Sequence, residues 1–424
     1  MLCGLEIHQR LSGRKLFCSC VPQEGSAGKG AAGGAGGESA ASGAAGAAEA
    51  GTERFTRRLH TVRSELGEVD AASQAEARSN RAFSYSAPLA QACLVEADEE
   101  PPHPLSPQAL QATLAICSLL SSQIVDELHV MRKNVIDGSN TSGFQRTAIA
   151  GMGGFIATPS GRLPIQTICL EEESAGIIQS SSTTVSHDAP DSSRPLEWAQ
   201  FCHAKLPSHR KMDGGEGKAQ YDLSRLGIPL VEIATSPGLH SGKEAQEAAL
   251  AIGTLLRKTG MVSRGIGTIR QDLNVSTEKG ARVEIKGVQD LNLIALTVEL
   301  EVQRQEKLLA VLSEAKKRLD GKRPPESIFD ATDIFSSTQC QLVARALRGK
   351  ARVLAMPLPN YAGLLGREIS PNRRFGGELA DYARACGVRG LVHSDESVEK
   401  YGFSDHEIAE LRLALSLKIG RAHV

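Results

Sequence analysis

The sequence has no long apolar run, no CxxC pair and no excess of basic residues. Its apolar stretches, such as 114–120, are far shorter than the roughly 20 residues that a membrane span needs. Nine cysteines scattered over 424 residues favour reduced thiols over a disulfide framework. A formal net charge of -1 argues against a chain that holds nucleic acid chiefly by neutralising phosphates. These absences predict a soluble protein without a membrane anchor, and the cytoplasm as its compartment.

Two cysteines are close enough in sequence to share a metal. Cys18 and Cys20 form a CxC that could begin a metal site. No second pair at ligand spacing follows them, so reduced structural thiols are the favoured interpretation and a metal site is the alternative.

Composition divides the chain into segments. Residues 23–51 are almost wholly Gly, Ala, Ser and Glu, which is typical of a disordered insertion. Residues 180–220 are dense in Ser, Thr, His, Pro and Gly and predict a long surface loop. A shift in composition at 321–325 predicts a boundary between a large domain, 1–325, and a small second domain, 326–418.

Helical and strand periodicities alternate along the large domain. Helices are predicted near 106–122 and 291–319, and Ser241 with Glu244 forms a capping box that opens a third helix running to Gly260. Several strands read in period two, with one apolar and one polar face. The pattern predicts an α+β fold whose sheet has one working face.

Carboxylates stand inside apolar strand sequence at three places. Alternation turns Glu6 and His8 to one face, residues 171–173 are three glutamates directly after an apolar strand, and Glu232 lies in an aliphatic run. A carboxylate in apolar surroundings must take up a proton or meet a cation, and several converging carboxylates favour a divalent metal.

Two further segments, 269–275 and 282–286, predict a hairpin. Their alternation places a mixed set of charged and polar side chains on one face, namely Arg270, Asp272, Asn274, Arg282, Glu284 and Lys286. Acids suit Mg²⁺, and guanidinium or ammonium groups suit phosphate, so this face resembles the lining of a nucleotide site. The alternative for each strand alone is an ordinary solvated face.

The loop 136–143 contains Ser139 and Asn140 and is rich in small hydrogen-bonding residues. Its backbone N–H groups could cradle a phosphate. It lacks the GK[ST] ending of a P-loop, so an ordinary turn is the alternative.

Five long motifs resemble one family. They are Gly4-Leu5-Glu6-Ile7-His8, the stretch 101–146 with its Gly138-Ser139-Asn140-Thr141-Ser142-Gly143 loop, Gly227-Ile228-Pro229-Leu230-Val231-Glu232-Ile233, Gly267-Thr268-Ile269-Arg270-Gln271-Asp272 and Ala281-Arg282-Val283-Glu284-Ile285-Lys286-Gly287. The chain resembles the GatB/GatE family, which contains the E subunit of archaeal glutamyl-tRNA(Gln) amidotransferase and its bacterial relative, the B subunit.

The resemblance implies a reaction and its partners. ATP would phosphorylate the γ-carboxylate of glutamate misacylated on tRNA(Gln). Ammonia from an asparaginase-like amidase, the D subunit of the same hetero-oligomer, would then displace phosphate. ATP and Mg²⁺ are the implied cofactors. No covalent enzyme nucleophile is needed, in agreement with the lack of a recognisable Ser–His or Cys–His pair.

The resemblance also assigns roles by motif match. The metal ligands would be His8, Glu172 and Glu232. Glu6 and Asp272 would serve an adjacent cation or ammonia site, while Lys133, Arg270, Glu284 and Lys286 would contact substrate or nucleotide. Ser139 and Asn140 would belong to the cofactor site. The choice of Glu172 within the acidic triplet depends on the strand register.

The resemblance further implies the fold of each domain. The large domain would be an antiparallel-sheet catalytic cradle of the glutamine synthetase and guanido kinase type, and the second would resemble the insertion domain of bacterial aspartyl-tRNA synthetases, with Arg367, Arg373 and Arg374 as RNA contacts. Relatives continue into tRNA-gripping domains, so we expect a truncated chain in which 419–424 is a non-native tail.

Two other functions compete with this interpretation. A non-catalytic scaffold would bind the amidase and tRNA without turnover, as the expected truncation would allow. A free-standing carboxylate–amine ligase would need no tRNA-linked domain, and the segment after Ser327 argues against it.

Overall fold

A computed structural model of the chain describes residues 1–22, 51–58, 63, 67–69, 74, 82–178, 219–322, 327–385, 388 and 390–418. The predicted tail 419–424 lies outside these ranges, as do the predicted insertion and polar loop except for residues 51 and 219–220. The described residues divide into two compact units, one formed by residues up to 178, 219–276 and 282–299, the other by 277–281 and 300–418. No helix in the described part of the chain combines the length and apolar character needed to cross a membrane.

The first unit is built mainly from strands. In chain order they are β1 (Leu2–Arg10), β2 (Thr52–Arg57), β3 (Phe83–Pro88), β4 (Gln123–Ile124), β5 (Met131–Asn134), β6 (Phe144–Met152), β7 (Phe155–Thr158), β8 (Gly161–Glu172), β9 (Gly176–Ile177), β10 (Ala219–Asp222), β11 (Pro229–Thr235), β12 (Ile269–Ser276) and β13 (Val283–Ile285).

Nine of these strands form one antiparallel sheet. Its order is β13-β12-β1-β11-β8-β6-β4, with β5 paired to β6 and β7 paired to β8. The other four form a small sheet in the order β2-β3-β10-β9, in which β3 and β10 are parallel. The predicted mixed fold with a largely antiparallel sheet is confirmed at this level.

The apolar side chains of the central strands form the core. Leu5 and Ile7 of β1 are almost completely buried and lie opposite Leu273 and Ile233 of the neighbouring strands. This side is mainly apolar, as the packing of helices requires, and buried Gln9, Gln271 and Glu172 are its polar members. The opposite face of the sheet is left free for charged residues.

Three helices accompany the large sheet, and sequence predicted all of them. They are α1 (Pro107–Leu119), α2 (Gly242–Lys258) and α3 (Leu291–Arg318). Ser241 Oγ caps α2 by accepting the Glu244 N–H at 3.2 Å, as expected. The Glu244 carboxylate accepts the N–H of His240 rather than that of Ser241, so the cap is one residue wider than the predicted box.

Aromatic residues of the small sheet hold the loop 136–143. Tyr85 stacks on Tyr221 with ring centroids 5.8 Å apart, and their hydroxyls donate to the carbonyls of Gly138 and Asp137 at 2.7 and 2.6 Å. Gly138 adopts a φ of +87°, and a Cβ there would lie 2.3 Å from the ring of Phe83. The loop therefore has a defined shape that requires glycine at this position.

The second unit contains the later part of α3, the helices α4 (Gln341–Arg348), α5 (Phe375–Ala385) and α6 (Asp405–Lys418), a 3₁₀ turn at Glu399–Tyr401 and the short strands β14 (Phe329–Asp330), β15 (Leu354–Ala355), β16 (Glu368–Ser370) and β17 (Arg373–Arg374). Two small apolar clusters stabilise it. One contains Phe335, Cys340 and Val343, and the other contains Val311 and Leu364.

Close packing between α2 and α3 gives a test of the fold. A Cβ added to buried Gly242 would lie 2.4 Å from the backbone oxygen of Ala295. We expect Gly242→Ala to lower the free energy of unfolding by about 1–3 kcal/mol, the usual cost of overpacking a core. Chemical denaturation measures the change. Lys243→Ala, at the exposed neighbouring position, is the control, and equal stability of the two variants would contradict the packing.

Candidate functional site

The register of three central strands collects the predicted site residues on one face. Residues that lie directly opposite each other in an antiparallel pair share a face. His8 of β1 lies opposite Glu232 of β11 on one side and Arg270 of β12 on the other, and Glu6 lies opposite Asp272. The predicted facing of Glu6 and His8 is therefore present, and both neighbouring strands add charged groups to it.

Glu6, His8, Glu171 and Glu232 form what we call the acid cluster. His8 Nε2 lies 3.2 Å from a Glu232 carboxylate oxygen, 3.8 Å from Glu6 and 3.9 Å from Glu171. Lys133 Nζ lies 3.7 Å from Glu171 and 3.8 Å from Glu232. Three carboxylates thus surround one imidazole, with one ammonium group at the rim.

The pKa values in the acid cluster show how the charges compete. Burial, followed by the charge of Glu232, raises the pKa of both Glu6 and Glu171. Burial would also raise the pKa of Glu232, but contact with His8 outweighs it and the pKa is lowered. For His8, burial lowers the pKa, but contact with Glu232 raises it by more. The pKa of His8 is therefore raised overall. The cluster is short of positive charge, so a divalent cation would stabilise its ionised form.

The three consecutive glutamates 171–173 have three different environments. Alternation places Glu171 in the acid cluster, whereas Glu172 points to the other face. There Glu172 accepts the backbone N–H of Arg146 at 2.9 Å and pairs with its guanidinium at 3.2 Å. Glu172, predicted as a metal ligand, is therefore already neutralised by Arg146, and the structure brings Glu171 to His8 and Glu232 in its place.

A second group of acids lies at the hairpin of β12 and β13, which forms as predicted. Lys286 Nζ donates to Asp272 at 3.2 Å and to Glu284 at 2.8 Å, and the Gly287 N–H donates to Asp272 at 3.0 Å. Carboxylate oxygens of Glu6, Asp272 and Glu284 lie within 4.8 Å of one another. Glu6 therefore links this group to the acid cluster.

The structure separates Ser139 and Asn140 from the acid cluster. Asn140 is buried, its Oδ1 accepts the Ser174 hydroxyl at 2.9 Å, and its Nδ2 has no hydrogen-bond partner among the described residues. It lines a cavity of about 10 Å³, room for about one water molecule, together with Glu172 and Arg146. Lys133, Ser139 and Asn140 were all predicted to bind the cofactor. Of these three residues, Lys133 alone contacts the acid cluster.

Two arginines that sequence reasoning did not single out lie next to the site. Arg10 and Arg225 both bind buried Glu173, and Arg270 lies 3.6 Å from the same carboxylate. We call these four residues the guanidinium cluster. Arg10 lies two residues after His8 in β1 and therefore on the same face, so the alternation of the strand could have identified it. Arg225 lies in a turn between strands, where no alternating pattern indicates its position.

The cysteine pair of the sequence acquires two more potential ligands in the structure. Cys18, Cys20, Cys93 and Glu96 place three sulfurs and a carboxylate oxygen within 4.8 Å of one another, with Cys18 Sγ 2.9 Å from Glu96 Oε1. Burial raises the pKa of the Cys93 thiol to about 11. This donor set is suited to zinc. Cys93 and Glu96 are the two further ligands that the sequence spacing of Cys18 and Cys20 did not reveal, and they favour the metal site over reduced structural thiols.

The chain belongs to the GatB/GatE catalytic domain family, which matches residues 1–196 and 202–360. Proteins named as the E subunit of glutamyl-tRNA(Gln) amidotransferase are similar to nearly all of it. The chain is 44% identical over 413 residues to that of Aeropyrum pernix, 41% over 422 to that of Archaeoglobus fulgidus and 43% over 415 to that of Thermococcus sibiricus. These alignments cover 96, 99 and 98% of this chain but 55, 58 and 57% of the relatives. The resemblance found in the motifs is confirmed, and the chain spans little more than half the length of these relatives.

The two faces of the acidic triplet can be told apart by stability. We expect Glu172→Gln to lower the free energy of unfolding by about 3 kcal/mol or more, because it leaves the half-buried Arg146 guanidinium without its charge partner. Glu171→Gln should cost much less, since it also removes repulsion with Glu232. Denaturant titration of both variants decides between them, and a larger loss for Glu171→Gln would contradict the facing described here.

The cysteine group can be tested by metal analysis. We expect the purified chain to bind about one zinc ion per molecule with its three thiolates and Glu96. Cys93→Ser should lose the metal, whereas Cys117→Ala, at a buried cysteine outside the group, should retain it. Elemental analysis and the absorbance of a cobalt-substituted sample measure the binding, and equal metal content in both variants would refute the assignment.

Proposed function

We propose that this chain carries the ATP-dependent step of a glutamyl-tRNA(Gln) amidotransferase. The single observation that supports this best is the acid cluster with Lys133 and Arg270 on one open sheet face, within a chain of the GatB/GatE family. ATP would phosphorylate the γ-carboxylate of glutamate on misacylated tRNA(Gln), and ammonia would then replace the phosphate to give glutaminyl-tRNA(Gln).

His8, Glu171 and Glu232 would hold the Mg²⁺ that this chemistry needs. Carboxylate oxygens are the ligands that Mg²⁺ prefers, and oxygens of Glu171 and Glu232 lie 3.9 and 3.2 Å from His8 Nε2. Bound there, the ion would neutralise charge on the transferred phosphate. Glu171 replaces the Glu172 of the sequence-based expectation because of its position on the face of His8.

The phosphorylation leaves an acyl phosphate whose carbon is open to attack by ammonia. The ammonia nitrogen forms the new C–N bond, the C–O bond to phosphate breaks, and one proton must leave the nitrogen. Glu6 would accept that proton, and a pKa raised by burial and by Glu232 supports this role because it makes the carboxylate more basic. Asp272, Glu284 and Lys286 would orient the ammonia or a second cation beside it.

We infer the rest of the assembly from the family. The sheet domain, residues 1–325, would share the antiparallel architecture of glutamine synthetase and the guanido kinases. Residues 326–418 would resemble the insertion domain of aspartyl-tRNA synthetases. An asparaginase-like amidase, the D subunit, would deliver ammonia within a cytoplasmic hetero-oligomer.

Three arginines of the second unit are the predicted RNA contacts. Arg373 is paired with Glu378 and Asp381, whereas Arg374 lies 3.9 Å from Glu396 and its side chain is 55% exposed. Arg374 is therefore freer to meet an RNA phosphate than Arg373, and Arg367 is half-buried.

A non-catalytic scaffold that binds the amidase and tRNA without turnover is the second candidate. Such a protein would not need the acid cluster. The two functions differ in their response to neutralising that cluster.

Neutralising one cluster carboxylate tests the catalytic proposal. With a partner amidase, misacylated tRNA, ATP and Mg²⁺, we expect the chain to form glutaminyl-tRNA, and Glu232→Gln or Glu171→Gln to reduce the rate by about a hundredfold or more. Glu127→Gln, at a side chain that is 80% exposed, is the control and should keep full activity.

The outcomes separate the candidates. Turnover that survives Glu232→Gln and Glu171→Gln would refute the assignment of the acid cluster. No turnover by the unaltered chain, together with normal binding of the amidase, would favour the scaffold.

A further inference from the structure

The turn that joins β12 to β13 is held by a buried glutamine of α3. Gln305 is 4% exposed, and its Oε1 accepts the N–H of Thr277 at 3.2 Å and the Thr277 hydroxyl at 3.1 Å. The Thr277 carbonyl accepts the N–H of Gly280 at 3.2 Å, which closes the turn. The turn and this part of α3 belong to the same compact unit. One side-chain oxygen of α3 thus fixes the start of the turn.

Glycine at position 280 lets the turn approach this side chain. A Cβ there would lie 2.1 Å from Gln305 Oε1 and 2.4 Å from Thr277 Oγ1. Atoms cannot approach so closely, so any larger residue at position 280 would push the Gln305 amide away. The contact between the turn and Gln305 therefore requires glycine at this position.

The carboxylate of Glu301 determines which end of the Gln305 amide faces the turn. Gln305 Nε2 donates to Glu301 Oε1 at 2.8 Å, so the amide oxygen is left for the two donors of Thr277. Arg304 binds both oxygens of Glu301 at 2.7 and 2.8 Å, and Glu378 pairs with the same guanidinium. Glu301 is 7% exposed, and Arg304 is the charge partner that a buried carboxylate needs. The amide of Gln305 is therefore held in one orientation.

Packing alone specifies the register of β13 only weakly. This strand has three residues, lies at the end of the order of the large sheet and pairs only with β12 among the described strands. Its two apolar side chains, Val283 and Ile285, are half-buried. A shift by one residue would turn Glu284 and Lys286 to the opposite face, away from Asp272. A fixed turn prevents this shift, because the turn sets where the returning strand begins.

We propose that Gln305 is a positioning residue for the charged group at this hairpin. By anchoring the turn, it holds Glu284 and Lys286 in the register that places them beside Asp272. It lies outside the charged group, so its loss displaces these side chains without removing any of them. The effect of Gln305 on turnover rests on the proposed function, whereas its effect on the hairpin rests on the contacts described above.

Hydrogen–deuterium exchange of the full chain, measured by mass spectrometry of its peptides, tests the anchor. Gln305→Leu keeps the size of the side chain and removes both hydrogen-bonding ends of the amide. We expect it to speed exchange in residues 273–285 by about tenfold, the effect of about one lost hydrogen bond, and to leave exchange in β11 unchanged. Gln303→Leu, at an exposed position of the same helix, is the matched control and should exchange like the unaltered chain.

Variants in the turn test the same contact from its other side. Thr277→Val removes the hydroxyl that donates to Gln305 and should speed exchange in the hairpin, whereas Thr277→Ser keeps the hydroxyl and should not. Gly280→Ala should act like Gln305→Leu, because its Cβ displaces the amide.

The kinetics of glutaminyl-tRNA formation test the positioning role. We expect Gln305→Leu to lower kcat by about tenfold or more, the effect of misplaced charged groups, with little change in the KM for ATP. Gln303→Leu should keep both constants.

Each result supports or overturns the proposal. Equal exchange of the hairpin in Gln305→Leu and Gln303→Leu would overturn the anchor, as would faster exchange spread evenly over the chain, which indicates a general loss of stability. Faster exchange of the hairpin with an unchanged kcat would overturn the positioning role. If the unaltered chain forms no glutaminyl-tRNA, the proposed function fails, and the exchange measurements still decide whether Gln305 anchors the hairpin.

Discussion

The repulsion among Glu6, Glu171 and Glu232 is the constraint around which the sheet face is organised. His8 and Lys133 offset it in part, yet burial keeps the pKa of two of the three carboxyls raised. The carboxyls remain together because backbone hydrogen bonds of β1, β8 and β11 and the apolar packing behind these strands hold them there. Folding supplies the energy that gathers like charges, and a bound cation would recover part of it.

The same alternation that gathers these acids also separates functions within one short run of sequence. Three consecutive glutamates have three different environments. Glu171 lies in the acid cluster, which is short of positive charge, Glu172 pairs with a single arginine, and Glu173 lies among three arginines. The pleat assigns Glu172 to one face and its neighbours to the other. The sheet thereby places negative and positive patches side by side without mixing them.

Local sequence patterns were sufficient to predict much of this arrangement. Period-two alternation predicted the common facing of Glu6 and His8 and the hairpin carrying Asp272 and Glu284, and capping residues predicted the start of α2. The member of the acidic triplet that reaches His8 could not be predicted, because it depends on how β8 pairs with β6 and β11. Cys93 and Arg225 were missed since they join their partners through contacts distant in sequence, which no local spacing encodes.

Because the acid cluster lies within paired antiparallel strands, its geometry is set by the pairing of those strands rather than by the loops that connect them. In parallel α/β sheets, ligands bind at the carboxyl ends of strands, and each connecting loop is part of the site. Here residues 23–50 and 179–218 fall between strands in the sequence. Such connections can lengthen or change in composition during evolution while His8, Glu171 and Glu232 keep their mutual distances, so divergence of loops is compatible with an unchanged acid cluster.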